Sequence, residues 1–127
     1  MIIDAQHQVS SAQTVTASAA SDNVIDLVKG GSGLYNNPYL VIQVKEAANA
    51  SGSATVNFQL QTATDSAFTT PVTLYDSGAI GKAALTLNAQ PVRVRIPETG
   101  ILQYLRVYYA VGTGPLTAGK FDAFIAY

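Results

Sequence analysis

A chain of 127 residues has room for one domain, and a domain of this size buries about two-thirds of the surface that its unfolded form exposes. Only 12% of the residues are charged, about half the usual share, and the net charge of −1 leaves no basic excess to displace counterions from a phosphate backbone, which argues against nucleic acid as a partner. The absence of cysteine excludes disulfides, thiolate nucleophiles and cysteine zinc sites. No run approaches the roughly eighteen apolar residues of a membrane helix, and the opening lacks the basic and apolar regions of a secretory signal, so the expectation is a product made in the cytoplasm of its host cell.

In chain order, the pattern is one of short strands with a period of two, and no stretch competes as a helix. Residues 1–11 are polar and read as an arm, or a weak first strand, able to wrap a neighbour. Residues 13–19 set Val15 and Ala17 against Thr14, Thr16 and Ser18, and residues 23–28 form a second short run that ends at Gly30, Gly31, Ser32 and Gly33, read as a flexible connection. In 39–45, Leu40, Ile42 and Val44 alternate with Val41, Gln43 and Lys45. A turn at 49–53 then leads into 54–61, where Val56, Phe58 and Leu60 oppose Thr55, Asn57, Gln59 and Gln61. These two strands are expected to pair as a hairpin.

Residues 62–70 form a polar loop in which Asp65 and Ser66 turn the backbone and Phe68 is expected to plug back into the sandwich. Pro71 starts a strand over 72–75, where its missing N–H costs least. A weak strand at 83–87 is followed by 92–96, with Val92, Val94 and Ile96 alternating with Arg93 and Arg95. Residues 104–111 place Leu105, Val107 and Tyr109 on one face and Tyr104, Arg106 and Tyr108 on the other. The last strand, 120–127, keeps Phe121, Ala123, Ile125 and Tyr127 in step. About eight closely spaced strands imply an all-β, jelly-roll-like antiparallel sandwich, a single domain over 1–127 with a short N-terminal arm at 1–11.

Chemistry is sparse. His7 is the only histidine, which removes a histidine-pair metal site and leaves any serine triad dependent on one residue of the arm. The segment from Gly30 to Gly33 lacks the lysine and following helix of a phosphate loop. Asp65, Asp76, Glu98 and Asp122 form no dense cluster of the kind that holds calcium, and Asp65 and Asp76 read as turn residues. No catalytic residue, metal or cofactor is therefore expected, and the chain is read as a non-enzyme.

Arg93 and Arg95 on one strand and Tyr104, Arg106 and Tyr108 on the next form the most distinctive group. If those strands pair with their apolar residues on a common core, all three arginines share the opposite face, where like charges directly across a sheet cost about 0.2–1 kcal/mol unless an acid offsets them. Arginine and tyrosine are also the residues that dominate interface energetics. These five residues are accordingly the candidate protein interface.

The opening residues Met1, Ile2, Ile3, Asp4, Ala5 and Gln6, the stretch 56–80 with Leu60, Gln61, Thr62, Phe68, Thr69, Thr70 and Pro71, and the end from Tyr104, Leu105 and Arg106 through Thr113, Gly114, Pro115 and Phe121 carry a further signal. Over nearly the whole chain they resemble the capsid cement, or decoration, proteins of tailed bacteriophages, of the Bordetella-phage type. The resemblance implies a jelly-roll-like virion protein on the capsid exterior that bridges major capsid subunits and stabilises the mature head. The implied partner is the major capsid protein; the strand edges of a charge-poor β-protein add the expectation of further copies of the chain, as dimer or trimer, and the charge and hydropathy that of neither nucleic acid nor membrane. The resemblance transfers no binding residue position by position. The alternative is a carbohydrate-binding β-sandwich module of a phage surface or tail structure, since exposed tyrosines also suit sugars.

Overall fold

The computed structural model describes residues 3–26, 38–97 and 100–126, with the backbone alone described for 3–7. Within these residues lie nine strands: β1 (Ile3–Thr14), β2 (Ala19–Ala20), β3 (Ile25–Asp26), β4 (Tyr39–Asn49), β5 (Thr55–Ala63), β6 (Val72–Gly81), β7 (Val92–Arg95), β8 (Tyr104–Gly112) and β9 (Ala118–Ala126). They form two antiparallel sheets, one in the order β1-β9-β4-β7 and the other β2-β8-β5-β6, with β3 also paired to β8. The pairings are nested around the β5–β6 hairpin: β4 with β7, β2 and β3 with β8, and β1 with β9. That is a ribbon rolled on itself, the jelly-roll arrangement.

This nesting overturns two expectations about partners. β4 and β5 do not form a hairpin; they lie in opposite sheets, and the chain crosses between them over residues 50–54, with Ala50 and Ala54 buried at the crossing. Nor do β7 and β8 pair. β7 lines the edge of the first sheet beside β4, whereas β8 runs between β2 and β5 in the second. Alternation fixes which side chains face inward, but a rolled sandwich chooses pairs by long-range closure.

Of the two readings of residues 1–11, the backbone adopts the strand. From residue 3 it is hydrogen-bonded along β9, with register shifts between Ile3, Gln8, Ser10 and Gln13, and Ala12 sits at φ 47°. These bulges break the alternation that would advertise a strand. Residues 15–18 turn away towards the other sheet, so no strand spans 13–19. The weak strand at 83–87 is instead a 3-10 turn at Lys82–Ala84, followed by irregular chain that drops Leu85 into the core and bonds back to β4 through Ala48 N–H to Leu85 O and Val44 N–H to Ala89 O. The glycine segment at 30–33 lies outside the described residues.

One apolar core fills the space between the sheets, drawn from Leu40, Ile42 and Val44 of β4, Val56, Phe58 and Leu60 of β5, Leu105, Val107 and Tyr109 of β8, and Phe121, Ala123 and Ile125 of β9. At its centre Phe58 meets Tyr109 and Phe121 edge-on at ring separations of 5.8 and 5.4 Å, while Tyr109 stacks on Phe121 at 5.6 Å. Both geometries suit the ring quadrupole, and they knit the two sheets together. A smaller cluster of Val41, Phe124 and Ala126 lies on the opposite face of the first sheet.

The buried tyrosine is also polar. Its hydroxyl donates to Ser10 Oγ at 2.8 Å, and Ser10 donates to Gln13 Oε1 at 2.7 Å. Gln13 Oε1 also accepts the Asp22 N–H at 2.8 Å, and its Nε2 donates to Ala20 O at 2.9 Å. This chain of bonds ties the bulged edge of the first sheet to the second. Every buried side-chain nitrogen and oxygen among the described residues has a partner.

Candidate assembly surface

Inward placement of Leu105, Val107 and Tyr109 forces Tyr104, Arg106 and Tyr108 to the outer face of β8. Beside them, β5 turns Gln59 and Gln61 outward, with Gln59 opposite Tyr108 and Gln61 opposite Arg106. Arg106 Nε donates to Gln61 Oε1 at 2.8 Å, Gln61 donates to Gln59 Oε1 at 3.2 Å, and Gln59 donates to Asp76 Oδ2 at 3.4 Å. A polar ladder thus crosses three strands.

Two rings flank the guanidinium, Phe68 at 4.2 Å and Tyr108 at 5.5 Å from its carbon to the ring centres. Phe68 is buried, yet it packs beneath Arg106 outside the main core rather than plugging into the sandwich as expected. Its position comes from a tight turn: Phe68 has φ 52°, its N–H donates to Asp65 O, and the Asp65 carboxylate accepts both the N–H and the hydroxyl of Thr69. The turn role read for Asp65 is therefore the one it plays. Partial burial lowers the Arg106 pKa from its ordinary value, opposed by the nearby Tyr108 phenol, and a guanidinium stays charged throughout the accessible pH range.

The five candidate residues do not assemble into one patch. Tyr104, Arg106 and Tyr108 share the outer face of the second sheet. Arg93 and Arg95 lie exposed on the opposite side of the sandwich, across from Val41 and Tyr39 at the edge of the first sheet, because β7 pairs with β4. Phe68, Gln59 and Gln61 complete the Arg106 environment and were not among the interface residues read from the sequence. The alternation in β5 already turned both glutamines outward; what it lacked was the register that sets Gln61 beside Arg106.

The acids are engaged locally. Asp76 Oδ1 accepts the Gly78 N–H at 2.8 Å within a bulge of β6, so that strand continues to Gly81 instead of stopping at Tyr75. Asp122 accepts the N–H of Ala12 at the β1 bulge and lies 3.6 Å from Lys45 Nζ. Among the described residues no three metal-ligating side chains come together. The His7 side chain and Glu98 fall outside them.

A protein-family model described as Bbp16 matches residues 9–125, from the middle of β1 almost to the end of β9. The chain belongs to the Bbp16 family. The family's name points to a Bordetella phage protein and carries no function of its own. No curated protein matches the chain. The match therefore takes in all nine strands except the first half of β1 and the last residue of β9, and is compatible with a structural protein of the virion.

Proposed function

We propose that this chain is a non-enzymatic structural protein of the virion, which binds the outer surface of the phage capsid, bridges major capsid subunits and associates with further copies of itself. The supporting observation is the outer face of the second sheet, where Arg106 is held by Gln61 and two aromatic rings on a rigid jelly roll. Side chains positioned in this way on strands suit recognition, because little rotamer entropy remains to be lost on docking. The phage family and the low charge of the chain support the same reading.

Such a protein stabilises the assembled shell by mass action, since it binds the closed lattice and not its separated pieces. Many copies add their contacts, so a modest single affinity suffices. Neither nucleic acid nor membrane enters the scheme, and the site of action is the capsid exterior.

The test is to add the purified chain to heads that lack it, sediment them, and heat the product. The chain is expected in the pellet, and decorated heads should hold their DNA to a higher temperature than bare ones. A chain that stays in the supernatant rejects the proposal. If it also binds members of a glycan array, the carbohydrate-binding alternative takes its place.

A further inference from the structure

A guanidinium has five N–H donors in a planar fork. In Arg106 the Nε donor goes to Gln61, and among the described residues the terminal nitrogens have neither a hydrogen-bond acceptor nor a carboxylate within ion-pair distance. The rings of Phe68 and Tyr108 attract the cation but do not neutralise it. Gln61 is itself fixed by Gln59, and Gln59 by Asp76, so the fork is oriented before any partner arrives.

A planar, oriented fork without an acidic partner among the described residues fits a two-oxygen anion, a carboxylate or a phosphate, and the net charge of −1, with no basic excess around it for a phosphate backbone, favours the carboxylate. A second copy of the chain is a poor source. A two-fold contact centred on Arg106 would bring the two guanidiniums towards each other, and in a contact centred elsewhere on this face the nearby acids Asp76 and Asp26 already accept bonds from Gln59, Gly78 and Gln103. We propose that Arg106, clamped by Phe68, Tyr108 and Gln61, is the socket for an aspartate or glutamate side chain presented by the capsid surface. This rests on the capsid-binding reading above and names the chemistry of its contact.

The experiment measures binding to heads lacking the protein for Arg106→Gln, Arg106→Lys, Phe68→Leu and Arg93→Gln, each with a thermal melt to verify folding. Arg106→Gln should weaken binding roughly thirtyfold. Arg106→Lys should lose about tenfold, because an ammonium keeps the charge but cannot form the fork, and it serves as the decisive variant if Arg106→Gln does not fold. Phe68→Leu should fall between these and wild type, and Arg93→Gln should stay within about twofold. Carbodiimide treatment of the Arg106→Lys complex should join its new amine to an acidic side chain of the head subunit, identified by peptide mass.

Wild-type binding matched by both Arg106 variants overturns the socket and leaves the capsid reading standing. A cross-link to an acid of a second copy, with head binding unchanged, also overturns it and assigns the fork to self-contact. Failure of the wild-type chain to bind heads removes both.

Discussion

Replacing Ser10 by alanine strikes the one place where the core depends on a polar chain. Tyr109 is fully buried, and its hydroxyl has Ser10 Oγ as acceptor at 2.8 Å. Ser10→Ala strands that hydroxyl and removes one of the two donors to Gln13 Oε1, while the Asp22 N–H remains. A stranded buried hydroxyl costs its desolvation, about 1–3 kcal/mol, and the lost Ser10 to Gln13 bond costs about 1 kcal/mol more, so the sum is about 2–4 kcal/mol. Tyr109→Phe removes the hydroxyl together with its need for a partner, so it should cost about 1 kcal/mol. The double variant should then cost about 2 kcal/mol, well short of the sum of the two single changes. With an unfolding entropy of about 0.27 kcal/mol/K for a chain of this length, Ser10→Ala should lower Tm by about 7–15 °C and Tyr109→Phe by about 4 °C. Calorimetry and urea titration of the four proteins measure the cycle. Strict additivity, or a Tyr109→Phe loss larger than that of Ser10→Ala, would refute the coupling.

The same tyrosine gives the fold an alkaline limit: burial raises its pKa, reinforced by Asp22 and Asp122 and opposed by the Ser10 hydroxyl. Because the folded value lies above the unfolded one of about 10, the contribution is fully present below that pH and declines as pH rises beyond it. Urea midpoints measured from pH 8 to 11 should show this decline, and Tyr109→Phe should flatten it. Phe121→Ala removes the ring that contacts both Phe58 and Tyr109, and should cost about 3–5 kcal/mol by urea denaturation. Thr62→Val deprives the Leu102 N–H of its acceptor and Tyr104 O of its donor, for a loss of about 1–3 kcal/mol in the same assay. Arg93→Gln, exposed on the edge strand β7, should change stability by less than about 0.5 kcal/mol.

Where alternation was unbroken, the sequence spoke clearly. The inward faces of β4, β5, β8 and β9 could be read from Leu40 and Ile42, Val56 and Phe58, Leu105 and Val107, and Phe121 and Ile125, and the sandwich class followed. It was silent where backbone irregularity hides the period. β1 shifts register on both sides of Ser10, and β6 bulges at Ser77 and Gly78, so the first read as an arm and the second as a turn. Pairing was the larger gap. Arg93, Arg95 and Arg106 are each turned outward as their strands require, yet on opposite sides of the molecule, because facing is local and partner choice is global. The socket around Arg106 was half legible. Tyr108 lies two residues away on the same strand, but Phe68 reaches the guanidinium only through the positive-φ turn that Asp65 holds.

Cryo-electron microscopy of intact virions tests the capsid role most directly. If the chain cements the head, jelly-roll density should sit on the outside of the shell, with the face that carries Tyr104, Arg106 and Tyr108 against major capsid subunits. Density for this chain on the tail or inside the head, or a mature shell that lacks it altogether, would contradict that role.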